Sequence, residues 1–202
     1  MARADGRLTA DLNPQDHGPQ DACGVIGIYA PGEEVSKLTY FGMYALQHRG
    51  QESAGMAVSD GRHMMVFKDM GLVSQVFDEA TLNSLQGHMA VGHTRYSTTG
   101  ASIWDNAQPT FRSRQGGDGL ALAHNGNLTN TGALEALIAE RAPDTEVPHK
   151  DRMDSSNDTS LVTALMTTYD GTLEEVAAQV LPHLQGCLLY TSDAADDLLC
   201  VD

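Results

Sequence analysis

Asp21-Ala22-Cys23-Gly24-Val25-Ile26-Gly27-Ile28 sets a cysteine between two unlike segments. After it, the apolar, glycine-punctuated run over 24–30, closed by Pro31-Gly32, predicts a buried strand. Before it, residues 1–22 carry Gly6, Asn13, Pro14, Gly18 and Pro19 with almost no apolar periodicity, the composition of an extended or disordered leader that could be discarded. With the leader removed, Cys23 holds a thiol and a free α-amine in one residue. Their reference pKa values, about 8.5 and about 7.7–8.0, are matched for proton transfer near neutral pH. A terminal nucleophile using its own amine as base is a known catalytic arrangement. While Ala22 stays attached, that nitrogen is an amide and cannot act as a base, so the leader is an off switch.

Beyond this stretch the chain alternates short strands and helices. Val35, Leu38, Phe41, Ala45 and Leu46 form a helical stripe over 35–47, with His48 and Arg49 at its C-terminal end. The runs 54–58 and 63–68 flank Ser59-Asp60-Gly61-Arg62, a hairpin signal. Another strand is expected around 88–93, then a long polar loop through Thr99, Gly100, Asn106 and Pro109, then a strand over 120–124. Thr131 is expected to cap a helix bearing Leu134, Leu137 and Ile138, and Asp158 to cap one bearing Leu161, Val162, Leu165 and Met166. Thr172-x-x-Glu175 is a capping box opening a last helix towards Leu184. Strands clustered in hairpins with helices between them predict a layered α+β domain rather than a nucleotide-binding alternation, and there is no GxGxxG or P-loop pattern.

The bulk properties narrow the partners. A chain of 202 residues can build one domain with a proper core. Its net charge of −15 disfavours nucleic acid and anionic membrane surfaces as general partners. No apolar run approaches the roughly 18–20 residues of a spanning helix, and the N-terminus lacks the apolar core of a secretory signal. Three widely spaced cysteines without a CxxC argue against a disulfide framework and a zinc site, so the reducing cytosol is the expected compartment.

A Cys23 nucleophile needs partners, and the sequence offers candidates. His124-Asn125-Gly126-Asn127 can supply oxyanion donors, the Asn125 amide and the Gly126 N–H, where a strand runs into a loop. In His93-Thr94-Arg95-Tyr96-Ser97-Thr98-Thr99-Gly100, Arg95 can fork onto a carboxylate and Thr98 and Thr99 add hydroxyls. Asp158 can hold an ammonium group. Taken singly, each has an ordinary reading: a structural cysteine, a paired surface charge, a helix cap, satisfied core histidines.

Taken in order, the set Asp21–Val25, Leu46-Gln47-His48-Arg49-Gly50-Gln51-Glu52-Ser53-Ala54-Gly55, Gly92–Gly100, His124–Asn127 and Asn157-Asp158-Thr159 resembles a class II glutamine amidotransferase domain. These domains are N-terminal nucleophile hydrolases. Within the class, the stretches 47–52 and 95–100 are most similar to the branch that serves de novo purine synthesis. The likeness extends from about Gly18 to Gly186. It implies a four-layer αββα sandwich with Cys23 as the mature N-terminus and catalytic nucleophile. It further implies Asn125 and Gly126 as the oxyanion hole, Arg95 and Asp158 as ligands of the α-carboxylate and α-amine of glutamine, and Arg49 and Gly50 in a loop packed over the nucleophile. In intact members ammonia passes to a second domain and displaces pyrophosphate from phosphoribosyl pyrophosphate. The resemblance implies no cofactor for this portion; for the longer enzymes it implies magnesium, an iron–sulfur cluster in some, and homo-oligomers. The alternatives are another enzyme of the class, making glucosamine 6-phosphate or asparagine, against which 95–100 speaks, and a silent binding module whose leader is never removed.

From Cys187 the text changes to a short apolar burst followed by small and acidic residues. Its opening can be written as codons of a transposon-end adaptor used in sequencing libraries. Residues 187–202 are therefore expected to be a non-native tail, and the sandwich to be incomplete at its C-terminal end. Domain bounds of 1–22, 23–186 and 187–202 follow.

Overall fold

Glycine-rich β1 (Gly24–Tyr29) is an edge strand, and α1 (Val35–Ala45) packs back across it. The computed structural model describes residues 23–96, 102–114, 119–143, 158–188 and 200–201. A tight turn over Gln47–Arg49 leads into β2 (Ser53–Ser59), β3 (Met64–Met70), the short helices α2 (Val73–Val76) and α3 (Glu79–Ser84), and β4 (Met89–Arg95). The four strands form an antiparallel sheet in the order β1-β4-β2-β3. The β2–β3 hairpin turns as its sequence predicts. Asp60 Oδ1 accepts from the Arg62 and His63 amides, and Gly61 takes φ +86°.

The second half contributes β5 (Thr110–Ser113), β6 (Gly119–Leu122) and β7 (Gly126–Leu128). Then come α4 (Thr131–Arg141), α5 (Asp158–Met166), α6 (Leu173–Val180), β8 (Gly186–Leu188) and β9 (Cys200–Val201). β5 pairs with β6, and β8 lies between β7 and β9, all antiparallel. Val35, Met43, Met56, Val58, Val73 and Phe77 fill a core between the first sheet and α1–α3. Leu120, Leu134, Ile138, Leu165 and Val176 fill another beneath α4–α6. The layers run helix, sheet, sheet, helix, the α+β sandwich that the family resemblance implies.

Two arginines close the far end of α5. Arg114 donates to the carbonyls of Tyr169 and Gly171, while Arg141 donates to Thr168 and stacks 3.5 Å above the Tyr169 ring. The capping box at α6 forms, the Thr172 N–H reaching Glu175 Oε2 at 2.9 Å and the Glu175 N–H reaching Thr172 Oγ1 at 3.3 Å.

The structure corrects several readings. α1 buries Val35, Ser36, Thr39 and Met43, and leaves Leu38 and Phe41 of the expected stripe exposed. The reason is a close approach: a Cβ on Gly92 would lie 2.7 Å from Thr39 Cγ2 and Met43 Sδ, so small side chains and one flexible Met face the sheet. Thr131 is the first helical residue rather than a cap, and Asn130, at the cap position, makes no side-chain cap bond. Asp158 likewise starts α5 and spends a carboxylate oxygen on the Leu128 N–H instead. The last helix ends at Val180 and gives way to a tight turn over Leu181–His183. The expected polar loop contains β5 and a wholly buried stretch, Asn106–Thr110. Helices α2 and α3 were not anticipated, being too short to show a period. The leader lies outside the described residues; of the expected tail, Cys187 and Leu188 pair with β7, and Cys200–Val201 pairs with β8.

Candidate active site

Register places the nucleophile. Gly24 pairs with Thr94 across β1–β4, which brings Cys23 beside the end of β4. Its Sγ lies 3.4 Å from both the N and the O of Tyr96. Cys23 is half-buried, so a small substrate can approach its sulfur. Its carbonyl accepts the Asn125 Nδ2–H at 2.7 Å and the Arg49 Nε–H at 3.4 Å. Residues 26 and 102 positions away in sequence thus meet at the cysteine. An amide NH2 carries two donors, so one remains to face an oxygen developing beside the sulfur.

The turn carrying Arg49 and Gly50 is held from two sides. Gln47 donates from Nε2 to the Gly50 carbonyl and accepts the Val73 N–H on Oε1 at 2.6 Å. His48 Nδ1 lies 3.0 Å from the Ala45 carbonyl at the end of α1. A Cβ on Gly50 would lie 2.5 Å from the Thr94 carbonyl carbon, so only glycine lets this turn rest against β4.

Arg95 ends β4, is 5% exposed, and donates from Nη1 to the Asn106 carbonyl at 3.2 Å. Behind it His93 is wholly buried, and its ring nitrogens reach no partner of good hydrogen-bond geometry among the described residues. Burial, and then the Arg95 charge, push its pKa down to about 3, so the ring is neutral in the fold. His124 joins the two halves. Its N–H donates to Gln108 Oε1 at 2.8 Å, and its Nδ1 lies 3.8 Å from Asp158 Oδ1 and 3.4 Å from Thr159 Oγ1. Burial lowers the His124 pKa, and the Asp158 carboxylate opposes that shift.

Of the residues singled out from the sequence, Arg49 and Asn125 both donate to the Cys23 carbonyl. Gly126 follows Asn125 as the exposed first residue of β7. Asp158 reaches the same arm through Leu128 and His124. Thr98 and Thr99 lie outside the described residues. Sequence reading missed Gln47 as a brace and Asn106 and Gln108 as contacts, because each acts through one long-range bond that leaves no local pattern. No group of three or more His, Cys, Asp or Glu side chains among the described residues is placed to hold a metal ion. None of their helices is long and apolar enough to cross a membrane.

No protein-family model matches the chain. Individual relatives do. It is 51% identical over 193 residues to an amidophosphoribosyltransferase of Mycobacterium tuberculosis, a match covering 91% of this chain and 35% of that protein. It is 63% identical over 123 residues to the protein of that name from Synechocystis, covering 61% and 25%. Among solved structures, the glutamine phosphoribosylpyrophosphate amidotransferase of B. subtilis complexed with ADP and GMP superposes with a TM-score of 0.67 at 34% identity, over 81% of this chain and 33% of that one. An allosteric regulatory enzyme of purine biosynthesis superposes with a TM-score of 0.69, also at 34% identity. The chain thus spans about a third of the length of these relatives. Across that third, in sequence and in fold, it belongs to the amidophosphoribosyltransferase family.

Proposed function

We propose that this chain is the glutaminase portion of an amidophosphoribosyltransferase, with residues 1–22 as a leader removed before catalysis. The observation that carries this reading is the convergence of Arg49 and Asn125 on Cys23. In it, the α-amine of a processed Cys23 takes the thiol proton, and sulfur attacks the γ-amide carbon of glutamine. A C–S bond forms while negative charge moves to the amide oxygen, which Asn125 Nδ2 and the Gly126 N–H receive. The ammonium proton returns to the departing nitrogen, the C–N bond breaks, and ammonia leaves a γ-glutamyl thioester. Water hydrolyses that thioester to glutamate and restores the thiol.

Arg95 holds the α-carboxylate, Asp158 the α-ammonium, and Thr98 and Thr99 add hydroxyl contacts. The turn at Arg49 and Gly50 covers the nucleophile. In the longer protein the ammonia displaces pyrophosphate from phosphoribosyl pyrophosphate, giving 5-phosphoribosylamine in the cytosol. Magnesium and an iron–sulfur cluster, implied for longer relatives, find no ligand set among the described residues, and no step above is routed through them. Residues 187–202 are read as a non-native tail. Resequencing the source DNA across codon 187 tests that: an uninterrupted native frame through Asp202 refutes it.

The catalytic reading is tested in the full-length protein by N-terminal sequencing and a glutamate-release assay. Processing to Cys23 is expected, as is loss of glutaminase activity in Cys23→Ala with glutamine binding retained. Near-parental turnover by Cys23→Ala removes the cysteine from the mechanism. An N-terminus that stays at Met1 or Ala2 supports a silent binding module instead.

A further inference from the structure

The stretch Trp104–Pro109 opens with a 3-10 turn over Trp104–Asn106, whose first two residues are exposed, and continues as a buried segment, Asn106–Pro109, against β2 and β3. Asn106 and Ala107 are wholly buried and Gln108 is 4% exposed, whereas connecting segments ordinarily run over the surface. A buried irregular backbone must have its polar groups satisfied, and the partners here are informative. The Asn106 carbonyl accepts from Arg95. The Ala107 carbonyl accepts from Lys68 Nζ at 2.5 Å. Gln108 Oε1 accepts the His124 N–H at 2.8 Å, one residue before Asn125.

Lys68, on β3, is also the seat of the stretch. Its ammonium sits 4.8 Å from the centre of the Trp104 ring, and the indole N–H returns a bond to the Lys68 carbonyl at 3.0 Å. β2 is shaped for the same purpose: a Cβ on Gly55 would lie 2.1 Å from the Gln108 carbonyl oxygen and 2.7 Å from Lys68 Cβ. One short segment therefore touches both Arg95, at the end of the first sheet, and the arm carrying Asn125, while resting on a lysine and a glycine away from both.

We infer that Trp104–Pro109 is a bracket fixing the separation of the carboxylate-binding arm from the oxyanion arm, with Lys68 and Gln108 as positioning residues. This inference rests on the glutaminase reading above and adds what sets that site's geometry. Neither residue touches substrate. Lys68 acts on Arg95 through the Ala107 and Asn106 backbone, and so on ground-state binding of an α-carboxylate. Gln108 acts on Asn125 through the His124 amide, and so on charge that appears only as the tetrahedral intermediate forms.

The two residues therefore have different kinetic signatures. In the full-length protein, Lys68→Met is expected to raise KM for glutamine about tenfold with kcat within about twofold of the parent. On 4-aminobutanamide, which is glutamine without its α-carboxylate, the same variant is expected to match the parent. Gln108→Leu is expected to lower kcat about tenfold at unchanged KM, and Gln108→Glu, which keeps an acceptor for the His124 N–H, to restore most of it. The bracket is overturned if either variant is kinetically silent, if Lys68→Met impairs both substrates equally, or if Glu and Leu at 108 behave alike. A parent that releases no glutamate removes the glutaminase reading itself, a distinct outcome.

Discussion

His93 shows how one residue couples the site to solution conditions. It is neutral in the fold because burial and the Arg95 guanidinium both oppose a second ring proton, holding its pKa near 3. In the unfolded chain it takes that proton below about pH 6.5. Between these values the unfolded state binds more protons, so stability falls as pH drops through the window and recovers as it rises. His124, shifted the same way by burial and opposed by Asp158, contributes in the same direction. Thermal melts from pH 7 to pH 4 are expected to show a falling midpoint, with a shallower fall in His93→Leu; an equally steep fall would mean that His93 is not the source. Cys23, Arg95, Asn125 and Asp158 were legible in the sequence as candidates because each stands in a run of several chemically constrained residues. Lys68 and Gln108 were not, since an isolated lysine on a strand and a glutamine before proline carry no local signature. What makes them matter is a contact 39 residues away in one case and 16 in the other.

Among the elements, the helix–sheet contact of α1 is tightly constrained. Gly92 brings β4 so near the helix that a methyl group there meets Thr39 and Met43 at 2.7 Å. Gly92→Ala is expected to cost about 1–3 kcal/mol by overpacking, read as a shift in denaturation midpoint. Gly27→Ala on β1, where a Cβ meets nothing within 4 Å, serves as the control, and equal losses in both would refute the packing argument. Thr172→Ala, which removes the side-chain half of the α6 capping box, is expected to cost about 1 kcal/mol by the same measurement. The strands and long helices could be found from the sequence because their periods repeat. The buried face of α1 could not: hydrophobicity favoured Leu38 and Phe41, whereas the small residues opposite Gly92 decided the packing. The polar loop hid the bracket for a related reason, since its polar groups are spent on interior partners rather than on water.

At the scale of the whole molecule, two apolar cores lie on the outer sides of a polar seam. Arg95, His93, Asn106, Gln108 and Lys68 occupy that seam, and Thr110 Oγ1 meets Thr163 Oγ1 at 2.5 Å where it reaches α5. Such a seam can fail separately from the cores, because its polar contacts depend on geometry more than on buried area. Trp104 is the only tryptophan in the chain, and it stands half-exposed at the mouth of the seam beneath an ammonium group. The protein's indole emission is therefore a single-site optical signal, and it originates where the bracket rests on β3. Since the bracket is wedged against both halves, fluorescence and far-ultraviolet dichroism should lose their folded signals at one denaturant concentration. Indole emission that changes first would reveal a joint able to open while the layers on either side stay folded.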